Sequence, residues 1–152
     1  MVKMDIKKFF LVSLSAFFLD QASKLLVRHF LGYGSSVSVI PKLLSIEMTK
    51  NTGIAFSIMQ NINTVIIFII LIILGSILFF YDKLSQSSRV YFAVIFGSAL
   101  GNLFDRIAYG YVVDFIKLSF WPVFNFADMM ITLSTAILIY KVIIGKQNII
   151  TK

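Results

Sequence analysis

Polar positions are scarce along this chain, and they divide four apolar stretches at about residues 9–27, 62–81, 90–106 and 127–145. A helix needs roughly 20 mostly apolar residues to cross about 30 Å of hydrocarbon at about 1.5 Å per residue. The pattern therefore predicts four transmembrane helices, of which the third and fourth are short. Between the first two, residues 33–58 place Val37, Val39, Pro41, Leu43, Ile46 and Met48 in a loose alternation, after Gly and Ser. That period predicts short strands, forming a small sheet on the membrane surface. Residues 107–127 gather Tyr109, Tyr111, Phe115, Phe120, Trp121 and Phe124, aromatics favoured at the lipid–water boundary. An interfacial segment is expected there. The expected fold is an all-α membrane protein of four spans with a small β-sheet cradle outside the bilayer, forming one domain over residues 1–152.

Composition makes lipid the solvent: 59% of residues are hydrophobic, 14% are charged, and the mean hydropathy is +0.91, far from soluble domains. A net charge of +7 would fit nucleic acid, yet no basic run exceeds Lys7-Lys8, and the cations stand at the ends of apolar stretches. Headgroups and topology account for them better, so no nucleic-acid partner is expected. The basic start followed by apolar residues imitates a secretory signal, but no small-x-small cleavage site follows, and the stretch reads as an uncleaved first span. With both termini inside, Lys3, Lys7, Lys8, Lys83, Arg89, Lys141, Lys146 and Lys152 face the cytoplasm. Only Lys42, Lys50 and Lys117 then lie clearly outside. That excess supports an N-in, C-in orientation. The chain has no cysteine, hence no disulfide framework, thiol nucleophile or thiolate metal site.

Of seven acidic residues, Asp5 and Asp82 are ordinary cytoplasmic-side charges and Glu47 belongs to the expected sheet. The remaining four are Asp20, Asp105, Asp114 and Asp128, and the derived topology sends all of them toward the outer face. Asp20 lies about seven residues before the outer end of the first span, roughly 10 Å deep. A charge at the helix centre costs about 2.5 to 3.5 kcal/mol on insertion scales, so intramembrane acids face the bundle interior and find partners. Asp20 with Lys24 reads as a structural i,i+4 ion pair. Asp105-Arg106 fits an interfacial anchor, and Asp128 fits a first-turn acid favoured by the helix dipole. Asp114 is odder, flanked by Val112-Val113 and Phe115-Ile116.

Two carboxylates held close together cannot both ionise, so one keeps a proton while the other acts as a base. Such a pair can activate water and protonate a leaving amine. Competing toolkits are nearly absent. His29 is the only histidine, and there is no HExxH. Gly97-Ser-Ala-Leu-Gly101 has its serine one place short of the G-x-S-x-G elbow and reads better as GxxxG helix packing. A small ion-coupled transporter is the rival class, since intramembrane acids also carry protons; it calls for acids near the midplane, whereas three of these four sit at one interface. An assembly factor, with the acids only joining helices, is a further alternative. The G-x-G-D signature of presenilin-like proteases is missing, the nearest segment being Gly110-Tyr-Val-Val-Asp114.

Five motifs occur in order. Asp20-Gln-Ala-Ser-Lys24 resembles the D-x-x-x-K motif of lipoprotein signal peptidases (signal peptidase II), and Asn51-Thr-Gly-Ile-Ala-Phe56 resembles their N-x-G-x-A-F motif. Gly97-Ser-Ala-Leu-Gly-Asn-Leu-Phe-Asp-Arg106 is similar to G-G-A-x-G-N-x-x-D-R, with Ser98 where the family has glycine. Val112-Val-Asp-Phe115 and Phe124-Asn-Phe-Ala-Asp128 complete the set.

The resemblance implies a metal-free and cofactor-free aspartic endopeptidase with Asp114 and Asp128 as the catalytic pair. Asn51, Gly53, Asn102, Asp105, Arg106 and Asn125 would support the site and hold the substrate, with Asp20 and Lys24 in a structural role. It also implies diacylglyceryl-modified prolipoproteins as substrates, cleaved before the lipidated cysteine. Globomycin-type cyclic peptides are the expected inhibitors. The setting implied is the bacterial cytoplasmic (inner) membrane, in contact with membrane lipid, with a monomeric enzyme whose active site lies at the extracytoplasmic face.

Overall fold

A computed structural model describes residues 4–53, 62–144 and 149–150. Its elements run α1 (Ile6–Phe30), β1 (Ser36–Ile40), β2 (Leu44–Asn51), α2 (Asn63–Phe79), a single 3-10 turn (Tyr81–Lys83), α3 (Arg89–Tyr109), β3 (Val112–Leu118) and α4 (Phe126–Ile143). Helices α1, α3 and α4 are long and apolar enough to cross a membrane; α2, at 17 residues, is a shorter apolar helix.

Lipid exposure explains which residues the helices hide. On α1 the buried positions are Phe9, Ser13, Ala16, Asp20 and Lys24, one stripe at i,i+3/i+4 spacing. Leu11, Phe18 and Leu25 on the other faces are each more than 60% exposed. Within the membrane stretch the ionic Asp20 and Lys24 thus turn inward while large apolar side chains face out, the reverse of a soluble helix.

Helix α3 is the centre of the bundle, packed against α1, α2 and α4. Its approach to α1 depends on missing side chains. A Cβ at Gly97 would lie 1.9 Å from the Ser13 carbonyl oxygen, and one at Gly101 would lie 2.4 Å from Asp20 Oδ2. These are the two glycines of the GxxxG segment, where small residues let helix backbones touch. Ser13 adds a hydroxyl that donates to the Ala93 carbonyl across the seam at 2.9 Å. Phe9, Leu74, Ile77, Tyr81, Phe96 and Leu103 fill the apolar part of this core.

The strands form one antiparallel sheet in the order β1-β2-β3. The short strands expected within residues 33–58 are present as β1 and β2, which turn through Lys42 at φ 63°; residues 54–58 lie outside the described residues. The expected interfacial segment differs, because Val112–Leu118 is a strand that pairs with β2. The molecule is consequently mostly helical with a three-stranded sheet. Aromatic content obscured the strand, and Asp114 interrupts its apolar run. Met48, Val113 and Phe115 pack with Val27 and Leu31, which fixes the sheet to the C-terminal end of α1. Since successive strand residues point to opposite faces, Asp114 is directed away from that contact.

Candidate active site

Asp114 leaves the middle of β3 and is 2% exposed. Both carboxylate oxygens accept amide hydrogens: Asn125 Nδ2 donates to Oδ1 at 2.7 Å, and Asn51 Nδ2 donates to Oδ2 at 2.8 Å. Burial comes first among the influences that push Asp114 up to about 6, and the nearby Asp128 charge adds to it; the two asparagine bonds and Lys24 pull the other way. A carboxyl poised there holds or yields a proton near neutrality.

Asp128 stands in the first turn of α4 and is half-buried. Asn102 Nδ2 donates to its Oδ1 at 2.8 Å, and the Asn125 backbone N–H donates to its Oδ2 at 3.3 Å. Asn125 Oδ1 accepts in return from the Asp128 N–H at 2.9 Å. This reciprocal capping box begins α4 and satisfies donors that a helix start leaves free. Asn125 therefore touches both aspartates, one through its side-chain nitrogen and the other through its backbone.

Behind the pair lies a buried ionic cluster. Lys24 Nζ meets Asp20 Oδ2 at 2.7 Å, Asp105 Oδ2 at 3.1 Å and Asn102 Oδ1 at 2.9 Å. Those three acceptors match the three hydrogens of an ammonium group. Asn102 Oδ1 also accepts from Asn125 Nδ2 at 3.1 Å, so the orientation of the Asn102 amide follows from its neighbours. Asp20 Oδ1 accepts the Ala127 N–H at 3.0 Å, joining α1 to the start of α4. Asp105 Oδ2 accepts the Val113 N–H at 3.3 Å, joining α3 to β3.

Asn51 is set by its own turn, its Oδ1 accepting the Gly53 N–H at 2.9 Å. Gly53 has φ 115°, a backbone conformation that glycine adopts without strain. Arg106 is 8% exposed and donates through Nη1 to Asn63 Oδ1 at 2.9 Å. Every residue expected from the sequence is thus in one cluster. Asp20 and Lys24 are more closely engaged than an isolated i,i+4 pair.

Three further members carried weaker signals. Gln21 Nε2 donates to Asp20 Oδ2, the Gly101 carbonyl and Asp105 Oδ1 at 3.1 to 3.3 Å; its adjacency to Asp20 was the available clue. Arg28 approaches Asp105 Oδ1 at 3.6 Å and lies 4.1 Å over the Tyr109 ring, one helical turn beyond Lys24. Asn63 follows Gln60 and Asn61 in a short run of amides that precedes an apolar helix.

Beside Asp128 a cavity of about 230 Å³ is lined by Leu118, Trp121, Phe124, Met129, Thr132 and Leu133. It joins an apolar surface to the Asp128 carboxylate.

The chain resembles bacterial membrane enzymes throughout its length. A structure described as "Bacterial membrane enzyme structure by the in meso method at 2.3 A resolution" superposes with a TM-score of 0.84 at 30% identity, covering 99% of this chain and 96% of that one. A second, at 1.9 Å resolution, gives 0.83 at 31% identity, covering 92% and 95%. The family model described as "Signal peptidase (SPase) II" matches residues 12–144. The lipoprotein signal peptidase of Halothermothrix orenii is 36% identical over 132 residues, covering 86% of this chain and 91% of that protein. That of Caldicellulosiruptor bescii is 38% identical over 125 residues, covering 82% and 83%.

Fold and site thus define a bacterial membrane enzyme. The chain belongs to the signal peptidase II family and is a membrane aspartic peptidase.

Proposed function

We propose that this peptidase removes signal peptides from diacylglyceryl-modified prolipoproteins, cutting before the lipidated cysteine, with Asp114 and Asp128 as the catalytic pair. The observation that carries the reading is Asn125, which bonds both carboxylates and so holds them at one site. One aspartate, ionised, takes a proton from water as the water oxygen attacks the scissile carbonyl carbon. Its protonated partner donates to the carbonyl oxygen. Collapse of the tetrahedral intermediate breaks the C–N bond and passes a proton to the leaving amine, giving a free carboxyl and a free amino terminus. Asn51, Asn102 and Asn125 hold the carboxylates, Gly53 keeps its loop close, Asp105 and Arg106 brace the site, and Asp20 with Lys24 secures α1 beneath it.

The single domain, in this reading, spans residues 1–152 and crosses the cytoplasmic membrane four times, N-in and C-in, as a monomer. Asp114 and Asp128 then open to the extracytoplasmic face, with the sheet cradling the substrate and its acyl chains remaining in lipid beside the apolar cavity. Depth in the bilayer selects the bond that is cut. Globomycin-type cyclic peptides, competing for the same cleft, inhibit. A gel-shift assay in detergent, with lipidated and unlipidated forms of one prolipoprotein, tests this. Cleavage of the lipidated form alone is expected; no cleavage by well-folded wild type would overturn the reading.

A further inference from the structure

We infer that Asn63, the first residue of α2, is a positioning residue that holds the Arg106 guanidinium beside the aspartate pair. The inference rests on the proposed catalytic role of that pair.

The contact is reciprocal. Arg106 Nη1 donates to Asn63 Oδ1 at 2.9 Å, and Asn63 Nδ2 donates back to the Arg106 carbonyl at 3.4 Å. Among the described residues no other hydrogen bond from the Arg106 side chain is formed, and its Nε is buried without a partner. The guanidinium feels Asp114, Asp128 and Asp105 electrostatically, but none of them fixes its direction by a direct bond. Arginine is always charged, so wherever it points it biases the pair's ionisation. Asn63 therefore sets that bias through geometry, from a helix that supplies no charge to the site. The facing ionisable groups are Lys24 from α1, Asp105 from α3, Asp114 from β3 and Asp128 from α4.

Removing the Asn63 acceptor frees the cation to turn away. Asp114 then loses favourable charge, and its ionisation moves to higher pH. A displacement of about 1 Å near reacting groups can cost about a hundredfold in rate. The test is kcat/KM on a diacylglyceryl-modified prolipoprotein, with a pH profile and thermal unfolding in detergent, for purified full-length variants. Asn63→Ala is expected to lower kcat/KM by about ten- to a hundredfold at nearly unchanged Tm, with the pH limb assigned to Asp114 displaced upward. Asn63→Ser, too short to reach the guanidinium, is expected to do the same even if the alanine variant folds poorly. Asn63→Gln keeps a neutral accepting amide oxygen and is expected to restore part of the rate. Wild-type kinetics and pH profile in Asn63→Ala and Asn63→Ser would overturn the inference. Equal impairment of all three variants with an unmoved limb would also do so, since it reports a structural role. Asp114→Asn, run alongside, reports separately on the pair: retained turnover there would remove the catalytic reading itself.

Discussion

Asn125 donates a 2.7 Å hydrogen bond to Asp114 from a position where its other groups cap α4. Helix initiation and carboxylate placement are thereby one event. For the proposed mechanism this means that neither aspartate can move without disturbing the same residue.

Asp114→Asn and Asp128→Asn are each expected to abolish cleavage while leaving insertion and folding intact. An asparagine at position 128 still offers an oxygen to the Asn125 N–H, so the helix start survives. Gel-shift turnover with Tm on the same preparations decides it, and normal turnover in either variant counts against the dyad.

Ionisation of Asp114 can be moved from a distance. Asn51 stabilises the ionised carboxylate through its 2.8 Å bond, so Asn51→Leu should carry Asp114 above its present value of about 6. Because the folded value is above the ordinary 3.8, protonation favours the native state. The stability Asp114 contributes is full below about 3.8 and is lost as pH rises through about 6; in Asn51→Leu the loss extends to higher pH. Tm measured from about pH 4 to about pH 7 tests the sign. A variant whose stability and activity profiles overlay those of wild type would refute it.

Lys24→Met is expected to destabilise by about 3 to 5 kcal/mol, since it leaves the carboxylates of Asp20 and Asp105 buried without their shared cation. Pairing it with Asp20→Asn should recover part of that loss. Because Lys24 also orients Asn102 against Asp128, the folded double variant should keep reduced turnover. A folded double variant with no turnover would contradict the structural assignment of this pair.

Ser98 offers a gain. Its side chain is 0% exposed and its Oγ has no hydrogen-bond partner among the described residues, at the position where the resembling motif has glycine. Ser98→Ala should stabilise by about 1 kcal/mol, the scale of one unsatisfied buried hydroxyl. Gly97→Ala, one residue away, should prevent normal folding, because the new methyl would meet the Ser13 carbonyl at 1.9 Å. Comparing their Tm values separates a spare polar atom from a steric requirement.

Legibility in the sequence followed energetic cost. Asp20, Asp105, Asp114 and Asp128 stand out because a charge near hydrocarbon demands a partner, and the apolar runs mark α1, α3 and α4 to within a few residues. Strand β3 was hidden because the acid that made Asp114 conspicuous also broke the strand's apolar pattern. Gln21 and Asn63 are neutral amides at helix positions where many residues are tolerated, so only their neighbours reveal them. Arg28 is intermediate, lying on the stripe through Asp20 and Lys24 but at a boundary where a basic residue looks ordinary.

The hydrogen bond from the Ala127 N–H to Asp20 Oδ1 spans 107 positions of chain. During synthesis Asp20 must wait for another 107 residues before that partner emerges. Until then Asn125 and Asp128 do not exist, so under the proposed dyad the nascent protein has no complete site. In that reading a chain stalled before residue 125 is an inert bundle, and the site is completed in one step as α4 is made.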